Sequence, residues 1–524
     1  MSDKSATLPA SVRRYAKYLL IMSGLGGLIY GIDVGVIAAA LPYIENTANY
    51  TKVQLGIVVG AVLWGSVLSS LFAGSLAEWL GRKKIIIASA FCFFISIPVI
   101  CASGLFEGGN FILLTLGRTL QGASAGLVGV VVPMYLAECL DSDSRGKGTG
   151  MFQLLLTIGL AFAAVIGLVV TGLVGDSDEV VKKVGRAAVT PEQTSSWIKA
   201  WQTIFWCSAV PGLILFLGAF KLKESPRWLY KKGRKEEALA SLAANNGEEK
   251  AKVILDEMLA ADAAAEAEKA AVAQASKGDS LFQRKYIYPF CLAVIILASN
   301  QTTGINSVLN YTVSIFKETG MTGVFANFSD LAIKLVNFFM TIIACALVDR
   351  KGRKFLLKLG TSGIIIGLSG VGGVFLAIKS GLVAASFVTG IIATVFFFMF
   401  IAFYAVGPGV CVWLALSELM PTRIRATGMS IAMIINQGVS ATIASIFPLW
   451  TGAWGYAPVF FCLAGFTVIY FITAAFFLPE TKGRTLEEIE QYFKTGILPV
   501  LKYCSISSSV RPFVSGRKNA AVMK

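Results

Sequence analysis

The stretch GSLAEWLGRK, from Gly74 to Lys83, returns later in the chain as CALVDRKGRK, from Cys345 to Lys354. In both copies an acidic residue stands three positions before Gly-Arg-Lys. Two further signatures occur once in each half of the chain. In the first signature, Glu138 stands seven residues before Arg145, and Glu418 stands seven residues before Arg425. The second signature is a closing motif that begins at Glu224 in one half and at Glu480 in the other. This repetition indicates two related halves.

Long apolar segments lie on either side of the hydrophilic stretch from Lys223 to Tyr286, six before it and six after it. With 55% hydrophobic and 15% charged residues, the chain is predicted to be a polytopic membrane protein. We expect an all-α fold of twelve transmembrane helices in two six-helix bundles, with short cytoplasmic helices between them. The predicted divisions are an N-terminal tail at 1–17, a first bundle at 18–222, a linker at 223–286, a second bundle at 287–478 and a C-terminal tail at 479–524.

The excess of basic residues follows the predicted topology. The 46 Lys and Arg outnumber the 31 Asp and Glu, and they cluster in alternate loops such as those at Arg82 and Arg353. The positive-inside rule then places these loops and both termini in the cytoplasm. We therefore predict a multi-pass protein of a plasma or inner membrane, with the lipid bilayer as its partner and no nucleic acid. The sequence does not indicate a role for the long loop from Asp176 to Lys199.

Several kinds of chemistry are disfavoured by what the sequence contains. There is no histidine, and the nine cysteines form no Cys-x-x-Cys pair. His-based catalytic triads are thereby excluded, and no Walker-type loop offers ATP as an energy source. We predict no enzymatic activity, no cofactor and no metal site. Repeated six-helix halves are instead typical of secondary transporters, which bind their substrate between the halves.

Span one places Asp33 within an apolar helix, where a lone charge costs about 2.5 to 3.5 kcal/mol on insertion scales. Arg118 enters span four, and small residues follow it at helical spacing, so another helix can approach closely. If that helix is span one, the two charges can pair, and such a pair can take up and release a proton. A purely structural ion pair is the alternative. Asp33 is the only acid for which the sequence indicates both a deep position and a basic partner.

The second half opens with an amide-rich interruption of a hydrophobic span, from Asn300 through Asn310. Amides are costly in lipid unless they face partners or a wet cavity. Their position around Gly304, which weakens a helix, predicts a broken helix that lines a binding site. Hydrogen bonds that merely join helices are the alternative. Neutral amides suit a neutral polyhydroxylated ligand better than an anion.

These motifs closely resemble those of the sugar porter branch of the major facilitator superfamily, from about Tyr18 to Phe493. The resemblance also includes Gly117-Arg118 and the segment from Pro133 to Glu138. It implies alternating access and a hexose, pentose or polyol in the central cavity. It also implies proton coupling through Asp33, with Arg118 as its partner. The predicted substrate-binding residues are Gln153, Asn300, Gln301, Asn306, Asn337, Trp413 and Asn436.

This sequence departs from the family pattern at several positions. The family's Gln-Gln pair is Asn300-Gln301 here, its Asn-Trp in span eleven is Asn436-Gln437, and Glu78 replaces the usual Asp. The loss of one aromatic residue and the gain of amides put glucose in doubt. Inositol or another polyol and a pentose remain open as substrates.

The charged signatures are expected to form networks at the cytoplasmic helix ends, which would hold that side closed. The predicted function is proton-coupled symport of a neutral monosaccharide or polyol. A facilitative uniporter, in which the Asp33 charge is only structural, is the first alternative. A nontransporting sugar receptor is the second alternative, although such receptors usually carry a long cytoplasmic signalling tail. The predicted gating residues are Glu78, Arg82, Glu138, Arg145, Asp349, Arg353, Glu418 and Arg425.

Overall fold

The computed structural model describes residues 9–140, 142–248, 250–256, 283–421, 424–480 and 492–493, with 259, 260, 263 and 267. Within these residues, twelve helical segments are long and apolar enough to cross a membrane, and no β-strand occurs. The predicted all-α fold with twelve spans is confirmed. Because the number of crossings is even, the first and last spans begin and end on one side, here named the terminal side. The opposite side is named the far side.

The first half contains six spanning helices, and a short helix lies between the last two of them on the far side. Two more short helices follow on the terminal side. These helices are α1 (Ala10–Thr47), α2 (Lys52–Leu80), α3 (Arg82–Ala102), α4 (Phe111–Cys139), α5 (Ser142–Val174), α6 (Ser177–Val184), α7 (Pro191–Ala219), α8 (Pro226–Lys231) and α9 (Lys235–Asn246).

The second half also crosses six times, and two of its spans are broken into pairs of helices. Its last span ends in a π-helical turn, Thr473–Phe477. The helices are α10 (Arg284–Thr302), α11 (Ile305–Glu318), α12 (Gly323–Lys351), α13 (Arg353–Lys379), α14 (Phe387–Val406), α15 (Pro408–Leu419), α16 (Arg425–Trp454) and α17 (Tyr456–Ile472).

The two Gly-Arg-Lys loops have the same backbone geometry in the two halves. Gly81 joins α2 to α3 with φ of 98°, and Gly352 joins α12 to α13 with φ of 90°, a region that favours glycine. A Cβ at Gly81 would lie 2.3 Å from a carboxylate oxygen of Glu224, and a Cβ at Gly352 would lie 2.7 Å from one of Glu480. The repeated motifs therefore build the same turn and anchor twice.

Both helix breaks lie at glycines, and the second glycine is followed by a proline. Gly304 has a left-handed conformation, with φ of 78°, between the end of α10 and the start of α11. This confirms the predicted broken helix. In the fourth span of this half, Gly407 separates α14 from α15, and Pro408 occupies the first position of α15, where no backbone N–H is needed.

Small residues bring helices from the two halves into close contact. A Cβ at Gly56 of α2 would lie 1.9 Å from the carbonyl oxygen of Ser445 in α16. On the other flank, Asn327 of α12 donates a hydrogen bond of 3.2 Å to Thr171 of α5. Close backbone contacts and hydrogen bonds between helices let packed helices hold together where lipid offers no hydrophobic gain. The two halves thus meet along two seams, one between α2 and α16 and the other between α5 and α12.

Candidate functional site

A cluster of amides joins the broken span to α16. Gln301 donates a hydrogen bond of 3.1 Å to Asn436, and Asn306 donates one of 3.0 Å to Gln301. Asn306 also donates a bond of 2.7 Å to the hydroxyl of Ser440, while Asn436 donates one of 2.8 Å to the Leu297 carbonyl. The break at the end of α10 turns two of these side chains towards the same helix. Such a chain of donors and acceptors can bracket ligand hydroxyls.

The other predicted substrate residues lie apart from this cluster. Asn300 is buried beside Tyr404, and its Oδ1 has no hydrogen-bond donor within the described chain. Gln153 on α5 is exposed, and Asn337 on α12 is half-buried. The side chain of Trp413 lies outside the described residues. Ser440 is not among the residues predicted from the sequence. It stands one helical turn after Asn436, and that spacing is the only sequence signal for it.

Asp33 lies on α1 without any exposed surface, and neither of its carboxylate oxygens has a hydrogen-bond donor among the described residues. Arg118 on α4 is also buried, at 1% exposed. It donates a hydrogen bond of 2.7 Å to Gln121 and lies over the Phe205 ring, 5.9 Å from its centroid. The two charged groups are near enough to interact electrostatically. They share no direct bond in this structure, because Gln121 and Phe205 hold the guanidinium.

At the terminal side of the first half, Arg82 forms a double hydrogen bond to Glu138, with distances of 2.9 and 2.8 Å. Both side chains are buried. Ser225 also donates to the Glu138 carboxylate, and Glu224 accepts the backbone N–H of Arg82 at 2.8 Å. This network ties α3, α4 and the start of α8 together within one half.

The second half repeats part of this arrangement. Glu480 accepts the backbone N–H of Arg353 at 3.2 Å, at the start of α13.

Glu78 contributes its backbone carbonyl, which accepts a hydrogen bond of 2.8 Å from the indole of Trp228, while its own side chain is exposed. Four predicted gating residues have side chains outside the described part of the chain. These are Arg145, Asp349, Glu418 and Arg425.

A second buried acid lies in α12, contrary to the expectation that Asp33 alone combines depth with a basic partner. Asp330 forms a salt bridge of 2.6 Å with Lys334, one turn later, and their side chains are 1% and 0% exposed. The Lys334 ammonium also lies 3.5 Å from the Gly35 carbonyl oxygen on α1, across the boundary between the halves. The spacing of four residues between an acid and a lysine within an apolar span is the sequence signal for this pair.

The loop after α5, which the sequence left unexplained, carries an ion-pair cluster. Lys317, at the far-side end of α11, hydrogen-bonds to Asp176 and, at 2.8 Å, to Asp178. Asn46 of α1 donates to Asp178 and, at 3.0 Å, to Ser177. The cluster therefore joins the second half to the first half at the far side.

Comparisons with known proteins agree with this architecture. The family model described as "Sugar (and other) transporter" matches residues 19–493. The chain is 30% identical over 480 residues to the probable metabolite transport protein CsbC of Bacillus subtilis, covering 91% of this chain and 95% of that one. It is 29% identical to the major myo-inositol transporter IolT of the same organism, over 92% and 94% of the two chains.

Solved structures of the xylose transporter XylE from E. coli share the fold. An inward open conformation matches with a TM-score of 0.72 at 23% identity, covering 91% of this chain and 99% of that chain. A second structure, of the "proton:xylose symporter XylE bound to 6-bromo-6-deoxy-D-glucose", matches with a TM-score of 0.67 at 23% identity, covering 92% and 100%.

Two related halves of six spans each, the second with two broken spans and a buried amide cluster, have the architecture of a membrane transporter. The chain belongs to the family described as sugar and other transporters. It is a transporter of that family, whose members carry sugars and other substrates. The predicted family is thereby confirmed.

Proposed function

We propose that the chain is a proton-coupled symporter of a neutral monosaccharide or polyol that works by alternating access. The observation that carries this proposal is the state of Asp33. Its carboxyl is fully buried, and both oxygens lack donors within the described residues. An unpaired charge in such a place is costly, so we infer that Asp33 is neutral here and holds a proton.

Arg118 supplies the other half of the coupling. It interacts with Asp33 electrostatically, but its hydrogen bond goes to Gln121. When Asp33 releases its proton, the carboxylate becomes a strong acceptor, and moving α4 towards α1 would satisfy both charges. Protonation therefore changes which arrangement of the helices is favoured. The differential stability of the two states is the physical basis for coupling.

The orientation follows from the distribution of charge. The terminal side carries the basic Gly-Arg-Lys loops, so we infer that it faces the cytoplasm. The far side, with the Lys317 cluster, then faces outward from a plasma or inner membrane. The proton and the bilayer are partners under this proposal.

For the substrate, we propose the amide cluster of Gln301, Asn306 and Asn436 as the centre of the site. Gln153, Asn300, Asn337 and Trp413 would reach the ligand from surrounding helices. Hydroxyls of a sugar or polyol can replace the bonds that these amides now make to one another. The myo-inositol relative IolT and the xylose transporter XylE make cyclic polyols and pentoses the first compounds to test.

Uptake by proteoliposomes tests the proposed function. A panel of radiolabelled pentoses, hexoses and inositols is presented with and without an imposed inward proton gradient. We expect one neutral compound to accumulate above its external concentration only when the gradient is present. Equal final concentrations on both sides under either condition would instead identify a uniporter.

Replacing Asn306 or Gln301 by Ala is expected to weaken substrate binding by about two- to ten-fold each, because each change removes hydrogen bonds to the ligand. Gln202→Ala is the matched control, since this amide bonds the Cys101 carbonyl at 2.9 Å between α7 and α3. Isothermal titration or substrate protection in detergent measures the affinity. Wild-type affinity in both site variants would show that the cluster is not the sugar site.

A further inference from the structure

The Lys317 cluster links the two halves at the far side. Lys317 belongs to the second half, whereas Asp176 and Asp178 belong to the first half. We propose that this cluster is a charged latch, which holds the far side closed and must break each time that side opens. The latch depends on alternating access and on no assumption about proton coupling.

The contacts of Lys317 show how the latch is held. Its side chain is only 7% exposed, and Asp176 is similarly buried, with a side chain 5% exposed. Asp178 is 26% exposed and completes the pairing at 2.8 Å. Asn46 anchors the Asp178 carboxylate to α1 by donating a hydrogen bond to it. An ammonium group held by two carboxylates, one of them nearly buried with it, is a strong, directional contact.

The site is placed where opening must disrupt it. Access from the far side requires α11 and α12 to move away from α1 and α5. Beside Lys317 lies a far-side cavity of about 300 Å³, whose lining includes Lys182 and Ser314. Deeper in the same boundary, the Lys334 ammonium lies near the Gly35 carbonyl, so the closed interface continues inward from the latch.

Opening of the latch can be measured as the reactivity of a reporter beside Lys317. Ser314 lies on α11, one turn before Lys317, and is half-buried at the wall of the cavity, with its hydroxyl oxygen covered. In a cysteine-free background, Ser314→Cys is labelled with an uncharged maleimide in lipid nanodiscs, where the reagent reaches both faces of the bilayer. Lys317→Gln should increase the labelling rate by about five- to ten-fold, while Lys317→Arg should keep it near that of the parent.

Two controls separate a latch from general loosening. Lys182→Gln removes a lysine from the same cavity that makes no ion pair with the described residues, and it should label at the parent rate. Adding Asp176→Asn and Asp178→Asn to Lys317→Gln should give no further increase, because the residues act as one unit. If Lys317→Gln does not fold, Asp178→Asn replaces it in the same assay.

Three results would overturn the latch. They are an unchanged labelling rate in Lys317→Gln, an equal increase in Lys182→Gln, and additive increases on combining the variants. Substrate-dependent counterflow by the same variants in proteoliposomes shows whether each variant still works as a transporter. A failure of proton coupling would leave the labelling results untouched, so the two proposals fail separately.

Discussion

Asp33→Asn is expected to abolish uphill accumulation, so that the internal substrate concentration no longer exceeds the external one under an inward proton gradient. Asn is nearly isosteric with a protonated Asp and cannot ionise. The site is buried and has no donors to the carboxyl oxygens within the described chain, so the neutral side chain fits without a new charge. The variant is locked in the state that the proton would create, and counterflow exchange should persist.

Accumulation in proteoliposomes measures whether uphill transport is lost, and counterflow measures whether exchange persists. The double variant Asp330→Asn with Lys334→Met is the matched comparison, because it removes the other buried carboxylate together with its partner. It should retain gradient-driven accumulation. If Asp33→Asn still concentrates substrate in response to the proton gradient, the proton site lies elsewhere and the coupling mechanism proposed for Asp33 is wrong.

The fold was readable from the sequence because its determinants are local. Apolar spans, Gly-Arg-Lys loops and the break at Gly304 each act within about one helix and its neighbour, so they can be recognised without knowing the packing. The anchoring of these loops by Glu224 and Glu480 could not be predicted, although both residues begin repeated motifs. That contact joins positions more than one hundred residues apart, and sequence spacing carries no information on which N–H groups a carboxylate reaches.

The candidate site was predictable only in part, for a related reason. The amides at Gln301, Asn306 and Asn436 stand out as polar residues in apolar helices, but their bonds to one another depend on how α10, α11 and α16 pack. The same limit applies to Asp33 and Arg118, where Gln121 and Phe205 decide the direction of the guanidinium. Lys317 was hidden differently, since a lysine at a helix end resembles an ordinary solvated residue until its partners are placed.

The pair of Asp330 and Lys334 shows how charge is accommodated in the middle of a span. Both side chains are fully buried, and the bond of 2.6 Å between them makes the pair electrically neutral. A buried ion pair contributes little net stability compared with apolar residues of similar size, because both groups lose their hydration. Removing one partner is much worse, since the other charge stays behind without compensation.

Lys334→Met alone is therefore expected to destabilise the protein by about 3 kcal/mol, near the lower end of the cost of stranding a buried charge. The double variant Asp330→Asn with Lys334→Met should recover most of that loss, because no charge remains in the span. Thermal unfolding in detergent, followed by tryptophan fluorescence together with the yield of monodisperse protein, gives the comparison. A double variant as unstable as Lys334→Met alone would show that packing of the lysine stem, and not the unpaired Asp330, determines the effect.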